Sequence, residues 1–241
     1  MHPRGSVVAL LLALFIAPPA LAEPGGISVS PIRVDLDANR RSGALTLHNG
    51  SERRYRFQVD VLRWTQTPQG EDLYAPADGV IANPPLFELA PQAQQVVRVG
   101  LLGAVPASVE ASYRIYFNEI EQPQPTAGTG LNVLLRLGVP MFVAPLAAAQ
   151  HRLEWSARMD GNRVLLRADN RGNVHERRAQ LRVTDAARGS ALHEDSGFRD
   201  ILPGSSWQWT LPAGTAVPAQ LKIEANTHES HDTVVVRVDR P

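Results

Sequence analysis

Tyr55-Arg56-Phe57-Gln58-Val59-Asp60-Val61 alternates apolar and polar residues without a break. In an extended chain successive side chains point to opposite faces, so this spacing predicts a strand with one buried and one solvated face. Tyr113-Arg114-Ile115-Tyr116-Phe117-Asn118 and Trp207-Gln208-Trp209-Thr210-Leu211 repeat the pattern. Shorter stretches of the same kind run from Ala44 to Leu47, Gln95 to Leu102, Val164 to Ala168, Gln180 to Thr184, Gln220 to Ala225 and Thr233 to Asp239. Turn residues separate them: Asn49-Gly50, Pro68-Gln69-Gly70, Asn83-Pro84-Pro85, Asp160-Gly161, Pro203-Gly204 and Pro212-Ala213-Gly214. No stretch long enough for an ordinary helix keeps a helical period free of Gly or Pro. The expected class is all-β, built as β-sandwiches.

The chain has 241 residues, 44% of them apolar, which suits a packed protein rather than a disordered one. Lys+Arg and Asp+Glu are both 24, and the zero net charge argues against a nucleic-acid partner. With 0 cysteines, disulfides, thiolate metal sites and cysteine nucleophiles are excluded. Residues 1–22, MHPRGSVVALLLALFIAPPALA, carry Arg4, an apolar run from Val7 to Ala17, a Pro18-Pro19 break and an Ala20-Leu21-Ala22 cleavage site. That is a secretory signal peptide, too short in its apolar part to be an anchor. No second apolar span follows, so no integral membrane segment is expected in the mature chain. The remainder fits two domains of sandwich size, residues 23–146 and 147–241, joined near Pro145-Leu146-Ala147-Ala148-Ala149. Asn49-x-x-Glu52-Arg53-Arg54 recurs as Asn173-x-x-Glu176-Arg177-Arg178, an echo that either a duplicated sandwich or chance would produce.

Catalytic and metal motifs are weak. Asp35-x-Asp37-x-Asn39 opens like a calcium loop, but Arg40 stands where Gly is needed and Thr46 where Glu is needed. His228-Glu229-Ser230-His231 places its histidines three apart, not at the spacing of a helical zinc motif. There is no G-x-S-x-G, no P-loop and no dinucleotide fingerprint. The only lysine is Lys222, and the acid pair Glu119 and Glu121 reads equally well as strand-edge charge. No enzyme, no metal and no cofactor is expected.

Residues 121–130, EQPQPTAGTG, have a loop composition. They lead into Leu131-Asn132-Val133-Leu134-Leu135-Arg136-Leu137-Gly138-Val139-Pro140, where every odd position from 131 to 139 is aliphatic. The odd row is either the inner face of an ordinary core strand or a row aimed at something else; periodicity alone leaves both open.

Four segments together resemble a known family. They are Val29-Ser30-Pro31-Ile32-Arg33-Val34; Gln58-Val59-Asp60-Val61-Leu62-Arg63-Trp64-Thr65-Gln66; Asn83-Pro84-Pro85-Leu86-Phe87-x-Leu89-x-Pro91 with Gln95-Val96-Val97-Arg98-Val99; and Glu110-x-Ser112-Tyr113-Arg114 with Glu119-Ile120. In this order behind a signal peptide, they resemble the periplasmic pilus-assembly chaperones of the chaperone–usher pathway, the PapD-like family. The match is good over residues 27–145 and weak over 146–241. The tryptophan-bearing strand and Val139-Pro140-Met141-Phe142 look most like its archaic branch.

The resemblance implies two immunoglobulin-like sandwiches and a non-enzymatic role in the periplasm. Such a chaperone lends its G strand to complete a pilus or fimbrial subunit, by donor-strand complementation, and delivers it to an outer-membrane usher. Leu131, Val133, Leu135 and Leu137 would be the donated side chains, with Val139 extending the row, and residues 121–130 the preceding loop. Many relatives grip the subunit's terminal carboxylate with two basic residues. Here the G-strand lysine position is Pro140, which makes Arg33 the expected anchor and Arg136 a weaker one. An exposed aliphatic row also favours pairing of two free copies. The competing expectation is a secreted structural or adhesive sandwich subunit that self-assembles; residues 23–26 are short for a strand it would need to donate.

Overall fold

The computed structural model describes residues 26–121, 133–212, 218–227 and 231–240. Residues 1–22 and Leu131 therefore lie outside the described residues. Among the described residues there are strands and turns only, and no helix is long and apolar enough to cross a membrane.

The first half contains β1 (Ile27–Ser30), β2 (Val34–Leu36), β3 (Ser42–Asn49), β4 (Tyr55–Gln66), β5 (Asp72–Pro76), β6 (Val80–Asn83), β7 (Leu86–Leu89), β8 (Gln94–Leu101), β9 (Ala111–Glu119) and β10 (Arg136–Val143). They form a sheet of order β1-β3-β8-β6 facing a sheet of order β2-β10-β9-β4-β5, with β7 also on β4. The alternation that predicts β4 holds: Tyr55, Phe57 and Val59 are buried, while Arg56 and Gln58 are exposed. Leu45, Leu47, Val97 and Val99 from one sheet meet Phe57, Ile115, Phe117 and Met141 from the other.

The second half holds β11 (Leu153–Asp160), β12 (Arg163–Asn170), β13 (Glu176–Asp185), β14 (Ala191–Asp195), β15 (Arg199–Ile201), β16 (Ser206–Pro212), β17 (Gln220–Thr227) and β18 (His231–Asp239). Their order is β14-β13-β17-β18-β11-β12-β16, with β15 on β13. Strand β11 lies along β12 and touches β18 only at Ala157 and Arg158, so it joins the two layers of a second sandwich.

Each sandwich is tied by the same buried asparagine. Asn49 Nδ2 donates to Arg53 O (2.7 Å) and Ala90 O (2.9 Å), and its Oδ1 accepts from Ser51 N (3.0 Å). Asn170 Nδ2 donates to Val174 O (2.8 Å) and Ile201 O (2.8 Å), and its Oδ1 accepts from Gly172 N (2.9 Å). A buried amide must find its partners, so each side chain fixes one loop against another. The backbone agrees: Asn49 N bonds Ala93 O and Asn170 N bonds Ser205 O. The strand pairs Tyr55↔Leu89 and Glu176↔Ile201 follow the same correspondence. The two halves are thus one duplicated unit in which Asn49 matches Asn170. The sequence echo, which matched Asn49 to Asn173, is out of register and arose by coincidence.

The sandwiches meet around Trp64, Phe142 and Leu202, a small apolar cluster apart from both main cores. Gln66 donates to Asp200 O (3.0 Å) and accepts from Leu202 N (2.9 Å). The hydroxyls of Ser205 and Ser206 donate to Thr67 O and Pro68 O. Gly70, at φ +91, turns the chain here; a Cβ on it would come 2.3 Å from Ser206 O, so only glycine fits.

Candidate functional site

Strand β10 lies antiparallel to β9, from Arg136↔Asn118 to Val143↔Ala111. On its other side β2 runs parallel, but only beside Met141, Phe142 and Val143. From Arg136 to Val139 no strand among the described residues covers that side. The cause lies in the first strand, which pairs with β3 as β1, crosses at Ser30-Pro31, and joins the opposite sheet only at Val34.

The direction of the free backbone groups follows from one bond. Glu119 N donates to Leu135 O (2.8 Å), so Leu135 turns its backbone toward β9. In an antiparallel ladder this alternates, and Arg136, Gly138 and Pro140 turn theirs toward the open side. Pro140, which has no N–H, therefore costs the β9 ladder nothing. The edge offers the N–H and C=O of Arg136 and Gly138 to an incoming strand, while the Pro140 C=O faces the Val34 N–H where β2 begins.

The odd side chains face the chain's own core. Burial grades along the row: Val133 is 62% exposed, Leu135 and Leu137 are half-buried against the first core, and Val139 is 1% exposed. Val139 thus belongs to this chain's interior and does not extend the available row. Of the two readings of the odd face, the inner one holds, yet the row climbs out of the core at the open rim. Leu134, on the opposite face, is also exposed.

That outer face is aromatic. The Arg136 guanidinium lies 3.9 Å over the Tyr116 ring, and Tyr74 meets Tyr116 edge-on at 5.9 Å. Gly138 makes room for Tyr116, since a Cβ there would lie 2.9 Å from the ring. Partial burial, with the Tyr116 hydroxyl, pushes the Tyr74 phenol above its ordinary value and keeps it protonated. Arg114 lies 4.1 Å over Trp64, and its buried Nε has no hydrogen-bond partner among the described residues.

Arg33 directly precedes β2; continuing the Val34↔Met141 register places it level with Pro140, at the foot of the open edge. Its Nε donates to Asp35 Oδ2 (2.9 Å), leaving the rest of the guanidinium fork available. Across the junction, the Asp200 carboxylate holds the Arg177 guanidinium above its ordinary value, and burial lowers that of Arg178. Arg33, Arg136 and the row from Val133 to Leu137 thus stand along one edge. Leu131 lies outside the described residues.

Sequence reasoning did not assign the seat of Glu119. Its side chain is 6% exposed, and Oε2 accepts from Leu135 N (3.0 Å) while Oε1 pairs with Arg53. It also missed the junction: His175 Nδ1 lies 2.9 Å from Glu110 Oε1, and the His175 ring stacks on Phe142. Glu119 did stand out as a charge ending an apolar strand, but nothing in sequence tells a buried acid from a solvated one. Among the described residues no cluster of His, Asp and Glu could hold a metal ion.

Residues 26–149 match the family model described as pili and flagellar-assembly chaperone, PapD N-terminal domain. The chain is 26% identical over 145 residues to a probable fimbrial chaperone, LpfB, of Escherichia coli O157:H7; the match covers 59% of each chain. The fold resembles a chain of the CsuC–CsuE chaperone–tip adhesion subunit pre-assembly complex from archaic Csu pili of Acinetobacter baumannii. There the TM-score is 0.64 at 20% identity, covering 89% of this chain and 99% of that one. The Escherichia coli chaperone DraB is similar at TM-score 0.58 and 19% identity, covering 90% of this chain and 97% of that one. A two-sandwich architecture with this likeness, and a family match that spans its first sandwich from β1 through the linker after β10, make the chain a member of the PapD-type family of pili and flagellar-assembly chaperones.

Proposed function

We propose that this chain is a periplasmic chaperone that captures pilus or fimbrial subunits by lending them β10, and passes them to an outer-membrane usher without any enzymatic step. Residues 1–22 export it, residues 23–146 form the capturing domain and residues 147–241 the second. The carrying observation is the open backbone edge of β10 beside an aliphatic row that rises from the core to 62% exposure at Val133. A subunit lacking one strand would pair its backbone with Arg136 and Gly138 and bury Leu131, Val133, Leu135 and Leu137. Because Leu135 and Leu137 are already half-covered, the gain is on the order of 5 kcal/mol, enough to hold a subunit and still release it by exchange. Arg33, at the foot of the edge, would take the subunit's terminal carboxylate with its remaining guanidinium donors. Complexes of a Salmonella enterica pilin, SafA, with the SafB chaperone, and of CsuC with CsuE, are structural relatives that support the reading.

Periplasmic co-expression with a candidate pilus subunit should yield a soluble one-to-one complex. Val133→Asp or Leu135→Asp should abolish it while circular dichroism of the free chain is unchanged. Equal capture by both variants would overturn the proposal, and fibres formed by the purified chain alone would favour a self-assembling subunit instead.

A further inference from the structure

We propose that Glu119, held by Arg53, is a positioning residue that fixes where the row on β10 leaves the sheet, and so which side chains the edge presents. The proposal rests on the reading of β10 as the lent strand and adds to it the device that sets its register.

In a regular antiparallel ladder the Leu135 N–H would be taken by the backbone carbonyl of Glu119. Instead the carboxylate takes it: Oε2 accepts from Leu135 N at 3.0 Å, while Glu119 N donates to Leu135 O at 2.8 Å. Both backbone groups of Leu135 end on one residue, and a side chain closes the ladder at the point where the row becomes exposed. A side-chain acceptor can act this way only if it is itself held. Arg53 pairs with Oε1, and its guanidinium lies 4.3 Å over the Tyr55 ring. Arg53 is in turn fixed through its carbonyl, which accepts from Asn49 Nδ2. The chain of constraint runs from the buried Asn49 through Arg53 and Glu119 to Leu135.

The duplicated sandwich supplies an internal control. Its equivalent of Asn49 is Asn170, whose amide holds the Val174 carbonyl as Asn49 holds that of Arg53. The strand pair Phe57↔Glu119 is matched there by Arg178↔Thr227. Arg53 and Glu119 are thus replaced by Val174 and Thr227, residue types that cannot form an ion pair. The asparagine recurs in both sandwiches and serves the fold. The Arg–Glu pair occurs only in the sandwich whose last strand carries the presented row, so the fold does not require it.

The test uses the full chain, with amide hydrogen exchange measured at Leu135 and Leu137 in the free protein. Glu119→Ala should speed exchange at Leu135 at least about tenfold, the worth of a charge-assisted bond, without lowering the thermal midpoint of the second sandwich. Arg53→Ala should give a smaller increase at the same amide. Glu119→Gln, which keeps an acceptor, should restore protection in part. Arg54→Ala, which removes the neighbouring exposed pair with Glu88, should change nothing at Leu135. Capture of the same pilus subunit as in the co-expression test should fall several-fold in Glu119→Ala and recover partly in Glu119→Gln. Unaltered Leu135 exchange in Glu119→Ala, or faster exchange with unaltered capture, would overturn the positioning role. Failure of the lent-strand reading shows differently, as undiminished capture by Leu135→Asp.

Discussion

Phe142 and His175 lie face to face, ring centroids 3.6 Å apart and planes within 5° of parallel, although they belong to different sandwiches. Phe142 sits on β10 and leans away from the row, so the strand that offers an edge at one end is bolted to the second sandwich at the other. Its neighbour Trp64 donates to Asp72 Oδ1 at 2.8 Å and packs against Phe142 at 6.0 Å.

Phe142→Ala should cost about 3–4 kcal/mol, because the side chain is 2% exposed and the hole is lined from both halves. Denaturant unfolding should split toward two transitions as the sandwiches uncouple. Gly70→Ala should uncouple them too, through the clash with Ser206 O, and small-angle scattering would read the wider angle between the halves.

Truncating the row should give a graded stability series. Val133→Ala is expected to fall within about 0.5 kcal/mol of the unaltered chain, Leu135→Ala and Leu137→Ala to cost about 1–2, and Val139→Ala about 2 despite its smaller side chain. Unfolding midpoints measure it; a flat series would show that the half-burial of Leu135 and Leu137 contributes nothing.

Gln92 adopts φ 57, in the left-handed region, at the place where the second sandwich has Gly204 at φ 79. Gln92→Gly should stabilise the first sandwich by about 0.5–1 kcal/mol, less whatever its exposed bonds to Gly50 O and Glu52 contribute. Gly204→Gln should destabilise the second.

Three aspartates set an acid limit. Backbone N–H groups hold the carboxyls of Asp37 (Arg40, then Asn39), Asp185 (Ala187) and Asp195 (Gly197) below the usual carboxylate range; Trp209 adds to Asp195 and Arg188 to Asp185. A depressed folded-state value contributes stability above the unfolded value near 3.9 and loses it as pH falls through the folded one. The thermal midpoint should therefore hold from pH 7 to about 5 in respect of these groups and drop below about 4. Asp195→Asn should flatten that acid limb; an unchanged limb would remove Asp195 from it.

Most strands could be read from alternation, because one face of each is buried and the other wet; β4 and β9 are the clearest. The family, and hence the pairing of two sandwiches, came through residues such as Asn83-Pro84-Pro85 and Glu110-x-Ser112-Tyr113-Arg114, whose positions matter more than their polarity. What escaped was three-dimensional. Period-two spacing puts Val133 and Val139 on one face, but only the packing of the two sheets buries the second and leaves the first exposed beyond the core. The duplication was visible only as a misregistered echo, since Tyr55 and Phe57 correspond to Glu176 and Arg178, and the shared asparagine acts through backbone carbonyls that carry no sequence signature.

The join between β2 and β10 at Met141 has a consequence for direction. A ribbon laid along the bare backbone of Arg136 and Gly138 and sliding toward Met141 collides with β2. The molecule therefore carries its own buffer stop: whatever docks on this edge is halted at that end by the chain's own entering segment.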